Sequence, residues 1–502
     1  MSSIIGHRRG TGLSTGRTRR ADTTGSARRA GTAGVAALTL LVSACSSSDD
    51  GAASSPSAGA AAAGAGSAGS GAVGSGPAGS GSAGSGAAGG GSTGSGAAGS
   101  GAAGAAGGSA MPDCKVGADG ALQYYTDKAA WKPDLESMNA TSQDNCGLSV
   151  AVTGYSDPTQ YNAFIMQGFQ TDQKPTLFTW HTGDQLKSLV DKGLVAETTD
   201  IWKAATTAGY VPDGLIDNYT YGGKQYCVPL NIAYWVMYYN KKSFADAGVT
   251  PPKTWDEFTK VTAALRAKGQ TPLHQMNVIF SFAWFQALLM GGDPAAYAGL
   301  ETGKTKYTDA PVQNAMKQWY QMEQNKDFID AGVQTDPQTL LKTGKVAMAY
   351  FGTFFTGQLT SVGMKSDSDY GVFALPNVAG GKQQMALETG PLCVGAGSAN
   401  EKAALAYSSW WMGVPAQTAW SDKRGDISFN PQVPVKDPAL AGLLKDLPQW
   451  QIHKRWLEAT PTPIYNVADP AFGEFVSKPT ADSMPMLQKI QAAADQYWNS
   501  QG

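Results

Sequence analysis

Along residues 111–502, short apolar runs alternate with longer stretches whose apolar positions recur at helical spacing. Residues 122–125, 148–153 and 176–179 read as strands, each followed by a polar, helix-like segment. This alternation predicts an α/β fold. Pro251-Pro252 stop one segment and Thr254 opens the next as an N-cap, with Glu257 placed as the capping-box acid and Leu265 and Gly269 closing the helix. Residues 400–412 read as an amphipathic helix that carries Trp410 and Trp411 into the core. No internal repeat and no second low-complexity linker divides residues 111–502.

The chain before Met111 is different in kind. Gly, Ala and Ser dominate it and aromatic residues are absent, so the core must come from residues 111–502. Arg8, Arg9, Arg17, Arg19, Arg20, Arg28 and Arg29, with Asp22 the single acid among the first thirty residues, read as the basic n-region of an export signal. The apolar run 33–42 is shorter than the roughly 20 residues that span a bilayer. Leu41-Val42-Ser43-Ala44-Cys45 resembles a lipobox, which predicts lipidation at Cys45; the alternative is a plain secretory signal with an incidental cysteine. Arg28-Arg29 lack the flanking residues of a twin-arginine signal, which leaves the export route open. Residues 46–110 cannot offset the entropy of ordering and are expected to form a flexible leash that reaches roughly 40–50 Å.

Charge narrows the function. The net charge is -2, and beyond Met111 the arginines are Arg266, Arg424 and Arg455, so no basic face is present for a nucleic acid. An anionic ligand is disfavoured for the same reason. After Cys45 the cysteines are Cys114, Cys146, Cys227 and Cys393, an even set in a chain with an export signal, and disulfides are the expectation. Metal binding competes poorly, because His181, His274 and His453 are scattered and no CxxC spacing occurs. No metal or cofactor is expected.

The run Tyr221-Gly222-Gly223-Lys224-Gln225-Tyr226-Cys227-Val228-Pro229 is followed by Val236-Met237-Tyr238-Tyr239-Asn240 and Pro252-Lys253-Thr254-Trp255. Farther on come Gly291-Gly292, Gly344-Lys345-Val346-Ala347-Met348-Ala349-Tyr350, and Tyr370-Gly371-Val372-Phe373-Ala374-Leu375-Pro376. In order and spacing these resemble the extracellular solute-binding proteins of carbohydrate ABC importers, the maltose-binding-protein family. The resemblance covers essentially all of residues 111–502. It implies a two-lobed periplasmic-binding-protein fold of type II, with lobes 111–228 plus 396–435 and 229–395 plus 436–502. The chain is expected to cross between them near 227–232, 392–397 and 429–436. On that fold Cys227 and Cys393 fall on neighbouring hinge segments and are expected to pair; Cys114 is expected to pair with Cys146, stapling the N-terminal segment to the start of a strand.

A sugar cleft needs aromatic platforms and hydrogen-bonding carboxylates. By resemblance, Asp127 and Lys128 bond hydroxyls beside Trp131, although Asp127 is equally readable as a helix cap. Trp180, His181 and Asp184 match an aromatic-and-aspartate site in which Gln185 replaces the family's arginine; Asp184 is the foremost expected contact. His181 lacks a nucleophile motif that would make it a catalytic base. Tyr155 and Asp157 are expected at the cleft edge, and Asn231, Tyr234 and Trp235 along the first crossing. Phe280, Ser281 and Trp284 form an expected wall, with core filling the other reading of Trp284, and Phe354 matches a stacking tryptophan. Glu388, Arg424 and Asp426 are directed at the cleft, unless Arg424 and Asp426 are only paired surface charges.

The chain is therefore read as a non-enzymatic, lipid-anchored monomer on the outer face of the cell membrane. It would deliver a sugar to ABC permease subunits driven by a cytoplasmic ATPase. A secreted carbohydrate hydrolase or lyase is the alternative, since it would share the aromatics and carboxylates, but no motif of either stands out. A display scaffold with a degenerate cleft is a third reading.

Overall fold

The computed structural model describes residues 114–501. The signal segment, Cys45 and the Gly/Ser/Ala tract lie outside the described residues. Strands β1 (Leu122–Thr126), β2 (Val150–Gly154) and β3 (Leu177–Thr179) form within two residues of the positions that the apolar runs predict. They are parallel, with β1 between β2 and β3, because helices return the chain between them. A small hairpin comes next, β4 (Thr220–Tyr221) and β5 (Lys224–Gln225), turning at Gly222 and Gly223. Both glycines hold positive φ, as a two-residue hairpin loop of the primed type requires.

The remaining strands are β6 (Val228–Asn240), β7 (Met348–Gly352), β8 (Tyr370–Phe373), β9 (Gln384–Val394) and β10 (Gln451–Lys454). Strand β6 pairs antiparallel with β9 from Val228 to Tyr234, then with β7 and β8 from Trp235 to Asn240. Strand β9 adds β3 at Leu392–Val394 and β10 at Gln384–Leu387. Two antiparallel strands thus carry the chain from one lobe to the other side by side. Farther on, the Asn430 amide donates to the Met412 carbonyl and Asp437 accepts from the Tyr370 hydroxyl.

Strand β6 is a nearly unbroken apolar run and all but one of its residues are buried, as a strand covered on both faces should be. Ile232, Tyr234, Val236 and Tyr238 enter one core, and Trp235 and Met237 enter the other. Trp410 and Trp411 are buried on the helix Glu401–Trp411, as predicted, and the Trp411 indole N–H reaches the Pro229 carbonyl of β6.

Both expected disulfides are present. Cys227 and Cys393 extend the register that pairs Val228 with Leu392, with Cα atoms 4.2 Å apart. Cys114 joins Cys146, the last residue of the helix Asn139–Cys146 just upstream of β2. Thr254 caps the helix Trp255–Ala267 by accepting the Glu257 N–H, while the Glu257 carboxylate reaches back to the Lys253 N–H, one residue beyond a capping box.

Candidate ligand-binding site

The paired strands β6 and β9 make the floor. Ala233 lies opposite Glu388 in the register, which puts Glu388 and Trp235 on one face, and the Trp235 indole donates to Glu388 Oε2 at 3.1 Å. Arg455 enters from the end of β10. Its Nη1 lies 2.7 Å from Glu388 Oε2, while Nε and Nη2 donate to Glu458 at 2.8 and 2.6 Å. Arg455 precedes the helix Trp456–Ala459, whose first turn brings Glu458 back onto it. Only 4% of Arg455 is exposed. Burial works against its charge, yet Glu388 and Glu458 outweigh that effect and raise its pKa; burial lifts Glu458, opposed by Arg455. Sequence reasoning missed Arg455 as a site residue, seeing in it only one of three arginines. An Arg-x-x-Glu pair at a helix start was the available signal.

Asp127 and Lys128 follow β1 and pair at 2.8 Å, while Thr179 Oγ1 donates to Asp127 at 2.6 Å. Burial alone would raise the Asp127 carboxyl, but Lys128, His181 and Thr179 hold it at about 2. His181 is pushed down to about 4 by burial, with Asp127 opposing and Lys128 and Arg455 adding to the depression, so the ring is neutral at ordinary pH. Asp426 is pushed up to about 7 by burial, against the Ile427 N–H, Thr353 and Arg424, with the Glu388 charge adding to the rise.

The second lobe supplies two half-buried aromatic rings. Phe280 stands edge-on to Trp235 at 5.2 Å and 6.2 Å from Phe354, with the Arg455 guanidinium 5.9 Å from its ring. The Phe354 ring lies across Gly352 and beside Ala233; a Cβ at Gly352 would fall 2.4 Å from that ring. Phe280 and Phe354 are both half-buried.

Other expected contacts are occupied elsewhere. Tyr234 points to the far side of the crossing, beside Ile232 and Leu387, into a cavity of about 340 Å³. Adjacent strand residues face opposite ways, so Tyr234 and Trp235 cannot share the cleft. Asn231 is buried against Gly390. Trp284 is 2% exposed in the second core, its indole on the His274 carbonyl, which is the core-filling reading. Ser281 hydrogen-bonds Asp469. Tyr155 packs on Tyr161 and Phe164, and Asp157 accepts the Gln160 N–H at the start of the helix Pro158–Gly168. Trp180 is buried against Tyr161 and Phe178. Arg424 is paired with Asp134 at 2.5 Å and sits 4.4 Å over Trp131, so the pair expected with Asp426 forms instead with the helix Lys132–Ser137.

Asp184 is engaged by the C-terminal helix instead. Its carboxylate accepts the Tyr497 hydroxyl at 2.6 Å, which ties the helix Asp184–Asp191 to the C-terminal helix Met484–Asn499. Next to it, a Cβ on Gly183 would come within 2.0 Å of the Glu458 carbonyl. On the other flank, a Cβ on Gly357 would come within 1.9 Å of the Arg424 carbonyl. The lobes meet at both places through backbone that only glycine permits. Among the described residues no group of His, Cys, Asp and Glu is arranged to hold a metal.

A sequence profile of the family described as bacterial extracellular solute-binding protein matches residues 136–442. A multiple sugar-binding protein of Streptococcus mutans is 41% identical over 56 residues, 11% of this chain and 13% of that protein. The sn-glycerol-3-phosphate-binding periplasmic protein of Salmonella paratyphi A is 29% identical over 185 residues, 34% of this chain and 39% of that protein. The chain thus spans well under half the length of these two curated relatives. A solved chitin oligosaccharide binding protein superposes with a TM-score of 0.65 at 20% identity, covering 75% of this chain and 98% of that one, which is a likeness of fold.

Proposed function

Because the chain belongs to the bacterial extracellular solute-binding proteins, we propose that it holds a neutral sugar between its lobes and passes it to the permease of an ABC importer. The pairing of charge in the cleft carries this reading. Lys128 meets Asp127 and Arg455 meets both Glu388 and Glu458, so a phosphate would have to displace a carboxylate from its cation. Sugar hydroxyls both donate and accept, and can join such pairs without breaking their charge balance. Phe280 and Phe354 offer half-exposed faces to the C–H surface of a ring. The relatives that bind sugars therefore fit this cleft better than the one that binds a glycerol phosphate.

The proposed ligand set is Asp127, Lys128, Glu388, Arg455, Phe280 and Phe354. The lobes, 111–228 with 396–435 and 229–395 with 436–502, would turn about the paired β6 and β9 to enclose the ligand. The closed form would then dock on the permease, with a cytoplasmic ATPase supplying the work. The basic n-region, the short apolar run and the lipobox-like Cys45 support export and a lipid anchor on the extracellular side. Among the described residues no helix is long and apolar enough to cross a membrane.

Calorimetric titration of the purified protein with neutral mono- and oligosaccharides and with glycerol 3-phosphate tests the proposal. A neutral sugar is expected to bind without turnover, and Phe354→Ala to weaken it at least about tenfold, as loss of a stacking platform does. Binding of glycerol 3-phosphate alone would refute the neutral-ligand reading, and product formation would favour the hydrolase.

A further inference from the structure

Residues 277–280 lead toward the helix Ala283–Gly292 through an unusual turn. The Phe280 N–H donates to the Val278 carbonyl at 2.7 Å around Ile279, which is held at φ 65°. A three-residue turn about a positive φ is the strained form, and a β-branched residue is a genuine outlier there. Such strain persists where the surroundings over-determine it, and it gathers at ligand clamps. Here the helix Thr462–Ser477 grips both flanks. The Asn277 amide donates to Ser477 Oγ at 3.0 Å, and the Ser281 hydroxyl donates to the Asp469 carbonyl at 2.9 Å. A Cβ on Gly473 would stand 2.5 Å from the Asn277 carbonyl, so the helix backbone touches the turn directly. At the tip, Val278 is 61% and Ile279 66% exposed, and the next residue is the platform Phe280.

We propose that Val278 and Ile279 are an apolar subsite at the mouth of the cleft, continuous with Phe280, that reads a hydroxyl-poor end of the ligand. The methyl group of a deoxy sugar and the aglycone of a glycoside are the matching chemistry. This subsite rests on the sugar-binding reading. Aliphatic tips offer neither a π face nor a hydrogen bond, so a hydroxyl pressed on them would lose water without replacement. A methyl or aryl group gains roughly fourfold in affinity for each methylene equivalent buried.

The test is calorimetry with matched ligands: a hexopyranose against its 6-deoxy counterpart, and a methyl against a phenyl glycoside of the best-bound sugar. The native protein is expected to prefer the deoxy or phenyl member by at least about fourfold. Val278→Ser with Ile279→Gly should abolish that preference while leaving affinity for the plain sugar within about twofold. Val278→Ser alone leaves the strained residue in place and should show a partial loss, which keeps the test valid if the double variant folds poorly. No preference in the native protein, or an equal preference in the variants, overturns the subsite while sugar binding stands. No binding of any sugar by the native protein overturns both.

Discussion

Asp426 shows how one side chain ties stability to pH. Burial lifts its carboxyl to about 7, so the folded state keeps a proton that the unfolded chain releases near 3.8. Stability from that proton is complete below about 4 and is lost as pH rises through about 7. Asp426→Asn imitates the protonated form. Its melting temperature is expected to exceed that of the native protein at pH 8 and to match it at pH 4; an equal difference at both would assign Asp426 another role. His181 and His274 act oppositely, since pKa values lowered to about 4 mean stability gained as pH climbs from about 4 to 6.5. At this scale the family pattern led to Asp127, Phe280, Phe354 and Glu388, which remain in the proposed ligand set, but not to Arg455. Nothing local to Arg455 reveals Glu388, which β9 delivers from far along the chain.

Among elements, local rules carried further. The cap at Thr254 needed only its own residues and the Glu257 N–H. Thr254→Ala is expected to cost about 1 kcal/mol, read as a lower urea midpoint at unchanged slope. The crossing strand was harder. Its apolar run marks β6 as buried but hides which residues face the ligand, because both faces are covered. Pairing with Glu388 through Ala233 puts Trp235 on the Glu388 face, where its ring is buried in the second core, and turns Tyr234 to the other.

For the whole molecule, the meeting of the lobes is the informative feature. Asp184, foremost among the residues expected to touch ligand, bonds Tyr497 instead, beside the contact of Gly183 with Glu458. On the proposed closure of the lobes, this bond would form together with ligand enclosure and contribute to affinity rather than to stability of the open form. Tyr497→Phe is therefore expected to weaken sugar binding roughly two- to tenfold, the worth of one such hydrogen bond, with little change in ligand-free melting temperature. A drop in melting temperature without loss of affinity would make the bond an ordinary packing contact.

Patterns written within a few residues of each other were decided by the sequence itself: the α/β alternation, the cap at Thr254 and the core tryptophans of the helix Glu401–Trp411. Each depends on periodicity or short-range hydrogen bonding. Only the tertiary structure decided that Arg455 lies between Glu388 and Glu458, that Asp184 faces Tyr497, and that Val278 and Ile279 stand exposed on a clamped turn. Those contacts join residues that are distant in the chain, and their energies depend on burial and distance, which exist only once β6 and β9 have brought the lobes together.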